Sequence, residues 1–118
     1  MAGFDKIKRK LEKSKICGYS RSDFIKSSER SVRKPYLYVI RCFDDTEEFY
    51  KIGITATSLK LRFSGKKLPY NYEVTQIIES EDAGLIYDIE KALHKYFNNL
   101  KYIPIKKFDG LTECFKYV

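Results

Sequence analysis

Residues 36–42 read Tyr36-Leu37-Tyr38-Val39-Ile40-Arg41-Cys42, and residues 49–54 read Phe49-Tyr50-Lys51-Ile52-Gly53-Ile54. Between them lies the polar run Asp44-Asp45-Thr46-Glu47-Glu48. Aromatic and β-branched residues fit a pleated, half-buried surface, and a short polar break between two such runs predicts a β-hairpin. Side chains alternate faces along a strand. Tyr36, Tyr38 and Ile40 therefore share one face of the first strand, and Lys51 and Gly53 share one face of the second.

Downstream of the hairpin, Thr57 or Ser58 is placed to cap a short helix running to about Phe63, with Gly65 ending it. Pro69-Tyr70-Asn71 reads as a turn, and Tyr72 to Glu79 as a third strand. The clearest helix runs from Glu81 to about Asn98. At about 100° per residue, Ile86, Ile89, Leu93, Tyr96 and Phe97 fall on one arc. Glu81 and Asp82 lie at its start, where the helix dipole favours negative charge. Pro104 stops any continuation, and the tail from Tyr102 to Val118 reads as extended with a turn at Asp109-Gly110. Upstream, Phe4, Ile7 and Leu11 suggest an amphipathic helix over residues 4–15. Asp23 is placed to cap a second helix to about Glu29, and Pro35 favours an extended entry to the first strand. The expected architecture is α+β: a small three-stranded, mainly antiparallel sheet flanked by helices over residues 36–118, preceded by a basic helical N-terminal arm over residues 1–35.

The 118 residues suffice for one core. Hydrophobic content of 43% and aromatic content of 15% suit a globular domain rather than a disordered chain. No stretch approaches the roughly 20 apolar residues of a membrane span, and the N-terminus lacks the apolar run of a secretory signal. Cys17, Cys42 and Cys114 form no C-x-x-C pair, so they read as reduced thiols rather than a disulfide or zinc framework. A soluble cytoplasmic protein is expected.

The net charge of +7 is unevenly placed. Residues 1–35 hold eleven cations against four acids, whereas residues 36–118 hold twelve of each. A neutral body with a cationic arm is the electrostatic outline of a polyanion binder. Lys6, Lys8, Arg9, Lys10, Lys13, Arg30, Arg33 and Lys34 are the candidate phosphate contacts. The apolar face of Phe4, Ile7 and Leu11 is too small for a membrane-surface helix to compete with nucleic acid as the partner.

Several positions can carry chemistry. The chain has no glycine-rich phosphate loop, and one histidine gives no basis for a Ser/His/Asp triad. On the helical wheel Glu90 lies about 40° from Ile86 and about 20° from Phe97, so a carboxylate edges into the apolar stripe. Unpaired charge beside a core is costly, so Glu90 needs either a cationic side chain or a metal. His94 follows one turn on, along the same flank. In the hairpin, Tyr38 and Lys51 make a pair in which a nearby cation favours a phenolate able to act as a base. Arg62 offers a guanidinium suited to bidentate phosphate binding.

Taken in order, Pro35-Tyr36-Leu37-Tyr38-Val39-Ile40, Tyr50-Lys51-Ile52-Gly53-Ile54-Thr55, Leu61-Arg62, Ile89-Glu90-Lys91-Ala92-Leu93-His94 and Thr112-Glu113-Cys114-Phe115 resemble the GIY-YIG endonuclease superfamily. The resemblance is to the branch with K-I-G in the second motif, which includes phage open-reading-frame proteins and the meiotically up-regulated gene 113 type. It spans residues 36–118. The family's first-motif glycine is Tyr36 here, and its second-motif tyrosine is Lys51.

The resemblance implies divalent-metal-dependent cleavage of DNA phosphodiester bonds. Tyr38 would be the base for the attacking water, Arg62 the contact to the scissile phosphate, and Glu90 the holder of magnesium or manganese. Lys51 and His94 would complete the site, with Glu113 as a further polar member. DNA is the expected partner, the chain a monomer or homodimer, and the compartment the cytoplasm, or a host's cytoplasm for a phage-encoded chain. Two other readings of the residues stay open: a catalytically inactive nucleic-acid-binding module on the same fold, and a phage-encoded inhibitor that binds an acidic protein.

Overall fold

A computed structural model of the chain describes residues 20–65, 67–108 and 110–118. The helix expected over residues 4–15, the cations Lys6, Lys8, Arg9, Lys10 and Lys13, and Asp109 of the tail turn lie outside the described residues. The hairpin forms as the alternation demands. Strand β1 (Tyr36–Phe43) pairs antiparallel with β2 (Glu48–Thr55), setting Tyr38 opposite Gly53 and Ile40 opposite Lys51. The Asp44 side chain closes the turn by accepting from the backbone N–H of Thr46 and Glu47 at 2.8 and 2.9 Å.

Strand β3 (Asn71–Glu79) pairs antiparallel with the other side of β1. Its register shifts by one residue between Val39 and Ile40, leaving Thr75 as the extra residue of a β-bulge. Thr75 fills the irregularity by donating its hydroxyl to the Val39 carbonyl at 3.0 Å. The sheet has four strands rather than three, because the tail returns as β4 (Cys114–Phe115) on the outer edge of β2. The strand order is β3-β1-β2-β4. A two-residue strand carries no periodicity, so nothing in the tail's sequence separates it from an extended coil.

The sheet is covered on both faces. Tyr36, Tyr38, Ile40, Cys42, Phe49 and Cys114 pack with Leu59, Leu68 and Tyr70 on one face. Leu37, Val39, Ile52, Ile54 and Phe115 pack with Phe24, Ala83 and Ile86 on the other. Burial on both faces explains why β1 reads as a nearly unbroken apolar run.

Three α-helices are described. Helix α1 (Arg21–Glu29) is capped by Ser20, whose hydroxyl accepts from the N–H of Asp23. The cap is thus three residues earlier than the expected one at Asp23, which instead sits in the first turn and meets the helix dipole. Helix α2 (Leu59–Arg62) is capped by Ser58, and Gly65 follows with φ of 64°. Helix α3 (Ala83–Tyr96) is capped by Asp82, which accepts from Leu85 N–H at 3.1 Å. None of the described helices is long and apolar enough to cross a membrane.

Helix α1, within the segment read as an arm, is docked on the body. Phe24 is buried in the same cluster as Ile86, and Arg21 pairs with Asp88 of α3 at 3.1 Å. The exposed ion pair contributes little, so the aromatic carries the contact. Phe24→Ala is expected to lower the unfolding free energy by about 3 kcal/mol. Urea denaturation reads this as a lower midpoint at constant slope; an unchanged midpoint would mean that α1 adds nothing to the body.

Candidate functional site

The site is built around a buried cation. Lys51 sits near the middle of β2, between β1 and β4, and exposes none of its surface. Its ammonium donates to Glu113 Oε2 at 2.7 Å and to the hydroxyl of Tyr38 at 2.9 Å. It also lies 5.1 Å from the centroid of the Tyr38 ring and 5.8 Å from that of Phe63. Burial alone would lower the lysine's pKa, but the charge and hydrogen bonds of Glu113, with the Tyr38 contact, outweigh it and hold it above its ordinary value. Lys51 is therefore a fixed positive charge, not a base.

Two glycines make this packing possible. Tyr38 lies over its cross-strand partner Gly53, where a Cβ would sit 2.5 Å from the ring's Cζ and nearer still to its hydroxyl. A side chain at 53 would displace the tyrosine. Gly110, with φ of 87°, presses its α-carbon against Lys51; a Cβ there would fall 2.9 Å from Cε. Its carbonyl accepts from Glu113 N–H at 3.0 Å, starting the 3₁₀ turn (Leu111–Glu113) that delivers Glu113 to the ammonium.

Aromatic residues wall in Tyr38. Phe63, the C-cap of α2, meets it edge to face at 5.6 Å, and Tyr36 does so at 6.5 Å. Tyr36 in turn donates its hydroxyl to the Thr57 carbonyl, tying β1 to the start of α2. Tyr36 thus helps to orient the segment that carries Arg62. Arg62 is the last residue of α2 and is half-buried.

Glu90 is the second unusual group. It is 3% exposed and lies on α3. Among the described residues its Oε2 has no hydrogen-bond partner, and it forms no ion pair within 4 Å. Burial pushes its pKa up to about 8, helped by the charge of Glu113 and opposed by Lys91, Lys51 and Arg62. Among the described residues, no salt bridge makes Glu90 an ordinary helix-flank residue.

His94 is positioned differently from the others. Its Nε2 lies 3.0 Å from the Ile52 carbonyl, which can only accept, so Nε2 carries the proton. The ring stands edge to face with Phe115 at 5.3 Å. Burial lowers its pKa, so the imidazole is a neutral strut between α3 and β2. Of the described arm cations, Arg33 stacks over Tyr36 at 4.6 Å, Lys34 pairs weakly with Glu81 at 3.7 Å, and Arg30 is exposed.

The structure therefore joins Tyr38, Lys51 and Glu113 by direct contact, and brings Glu90 within the fields of Glu113, Lys51 and Arg62. Sequence reading missed the parts played by Phe63 and Gly110. An aromatic at a helix end and a glycine in a turn carry other meanings far more often. Residues 35–117 match the family model described as the T5orf172 domain. No curated protein and no solved structure gives a significant match.

The Glu90 environment fixes a pH dependence. A carboxyl whose folded pKa is raised binds its proton more tightly folded than unfolded, so its stabilising contribution is complete at low pH. It is lost as pH rises from the ordinary 4.5 through about 8. Glu90→Gln, which stays neutral, is expected to flatten this decline and to be the more stable protein at pH 8 by more than about 1 kcal/mol. Parallel pH profiles of urea stability in the two proteins would contradict that assignment.

Proposed function

Because this chain belongs to the T5orf172 domain family, we propose, on the geometry of its buried charges, that it is a divalent-metal-dependent endonuclease acting on DNA phosphodiester bonds. The observation that carries the reading is the buried Glu90 oxygen, which has no hydrogen-bond partner among the described residues. A carboxylate oxygen in that state suits a hard divalent cation, which takes oxygen ligands and needs as few as one or two carboxylates when substrate phosphate supplies the rest. No group of three or more His, Cys, Asp or Glu side chains among the described residues is arranged as a metal cage; in this reading Glu90 is the protein's contribution to holding magnesium or manganese.

When bound, such an ion would polarise the phosphoryl oxygen and offset charge on the leaving oxygen. The chain's own residues supply the remainder. Tyr38, in its anionic form, takes a proton from the attacking water and becomes the neutral phenol, and the Lys51 ammonium, 2.9 Å from the same oxygen, is the positive charge set beside that anion before the transfer. Glu113 holds Lys51 in place from the other side. Arg62 contacts the scissile phosphate and stabilises the charge of its transition state. His94 is a positioning residue through Ile52. The arm cations hold the DNA backbone.

A second reading has its own observation. Tyr38 and Lys51 expose none of their surface, as in a structural ion-pair network, which favours a module that binds nucleic acid without cutting it. Plasmid nicking separates the two. The nuclease reading expects nicking by the purified chain with magnesium, none with chelator, and a loss of at least about a hundredfold in Glu90→Ala. Nicking at full rate in that variant would sink the metal site, while salt-sensitive DNA binding with no nicking under magnesium or manganese would leave the binding module.

The arm makes a separate prediction. Replacing Lys8, Arg9 and Lys10 together by Gln is expected to reduce the slope of log affinity against log salt by about 3. A slope equal to that of the unmodified chain would show that these cations do not meet phosphate.

A further inference from the structure

Residues 101–108 read Lys101-Tyr102-Ile103-Pro104-Ile105-Lys106-Lys107-Phe108, three lysines and no acid. The segment has no regular secondary structure beyond one bridge from Lys101 to Phe115, yet it is tightly pinned. Glu47, in the β1–β2 turn, accepts hydrogen bonds from the hydroxyls of Tyr70 and Tyr102, both at 2.6 Å. It also accepts from the N–H of Ile105 at 3.3 Å. Lys106 donates its N–H to the Tyr70 hydroxyl at 3.1 Å, and its ammonium pairs with Asp44 at 3.0 Å. Tyr102 stacks on Phe49 at 5.3 Å, and Pro104 is buried.

On this fixed support two branched apolar side chains point outward. Ile103 is 82% exposed and Ile105 is 74% exposed, one on each side of the buried proline. A single exposed isoleucine needs no explanation. Two of them, held out by a loop pinned at Tyr102, at the Ile105 N–H and at Lys106, present apolar area together. Lys101 and Lys107 flank the pair, both exposed and without an ion pair among the described residues. Apolar tips between cations complement apolar faces between rows of negative charge, which is what a base step of a duplex offers once it is opened: base faces within phosphate strands.

We propose that Ile103 and Ile105 form a wedge that enters a base step of duplex DNA and unstacks it, with Lys101 and Lys107 seated on the flanking phosphates. This rests on the DNA reading above but not on the cleavage reading. It adds a way of gripping and deforming the substrate that the buried charge cluster does not provide. The rigid anchoring means that the wedge is already formed before contact, so little ordering entropy opposes its insertion.

The test uses the full chain in chelator, so that no cutting interferes, with short duplexes carrying the fluorescent base 2-aminopurine at successive positions. The chain should bind and raise the fluorescence at one or more positions, as unstacking relieves quenching. Ile103→Ser/Ile105→Ser should bind about tenfold more weakly, with the salt slope unchanged and the rise abolished. Both positions are exposed, so its thermal melting should match that of the unmodified chain. Lys101→Gln/Lys107→Gln should keep the rise and lose about 2 from the salt slope. Binding with no rise at any position, or an undiminished rise in the Ile double variant, overturns the wedge. Capture by anionic phosphatidylserine vesicles but not by duplex overturns both the wedge and the DNA reading. Persistence of the rise in a chain that nicks no plasmid removes the nuclease reading alone and leaves the wedge standing.

Discussion

A lysine with no exposure is tolerable only if its charge is met inside the protein, and here the Lys51 ammonium is met by Glu113 and Tyr38. The other features of the site follow from satisfying that one cation. Gly53 is without a side chain because the tyrosine must lie across β2 to reach it. Gly110 takes a left-handed conformation and gives up a side chain because the returning tail must pass directly over the lysine. The short 3₁₀ turn after Gly110 places the carboxylate, and β4 registers that turn against Lys51. Removing one member of such a group leaves an uncompensated buried charge, which costs more than the pair contributes. The cluster is thus a stabilising commitment as well as a candidate for chemistry, and the same burial that fixes its geometry limits its contact with solvent.

Glu90 presents the opposite condition. It is buried beside fields of both signs but is paired with none of them. Two responses are open to such a carboxyl: to keep its proton, or to lose it to a cation. At neutral pH, with a pKa of about 8, the two states differ by little free energy, so the group is sensitive to whatever positive charge arrives. That sensitivity distinguishes it from Lys51, whose protonation is locked.

Much of the architecture was legible in the sequence. The hairpin, the third strand and the long helix followed from periodicity, and the faces of β1 and β2 followed from alternation. The pairing of Tyr38 with Lys51 and the interior position of Glu90 followed from the same two rules. What could not be read was decided by distant parts of the chain. The fourth strand is too short to have a pattern. Cap choice at α1 turned on which of two capable side chains lay at the start of the docked turn. The docking of α1 hinges on Phe24, one aromatic among charged residues in the segment read from composition as a basic arm. The pressure of Gly110 on Lys51 links positions 59 residues apart, and no local signal encodes it.

The bulge at Thr75 bears on how this molecule meets copies of itself. Strand β3 is the outermost of the long strands, and among the described residues one side of its backbone has no neighbouring strand. A straight nine-residue margin of that kind is a template for lateral growth. The extra residue, sealed by the threonine hydroxyl, bends and twists the margin at its centre, so a neighbouring strand could match one half of it but not both. Glu73, engaged with Arg41, adds charge along the same border. A break in register of this kind disfavours continuation of the sheet past β3 into a second molecule.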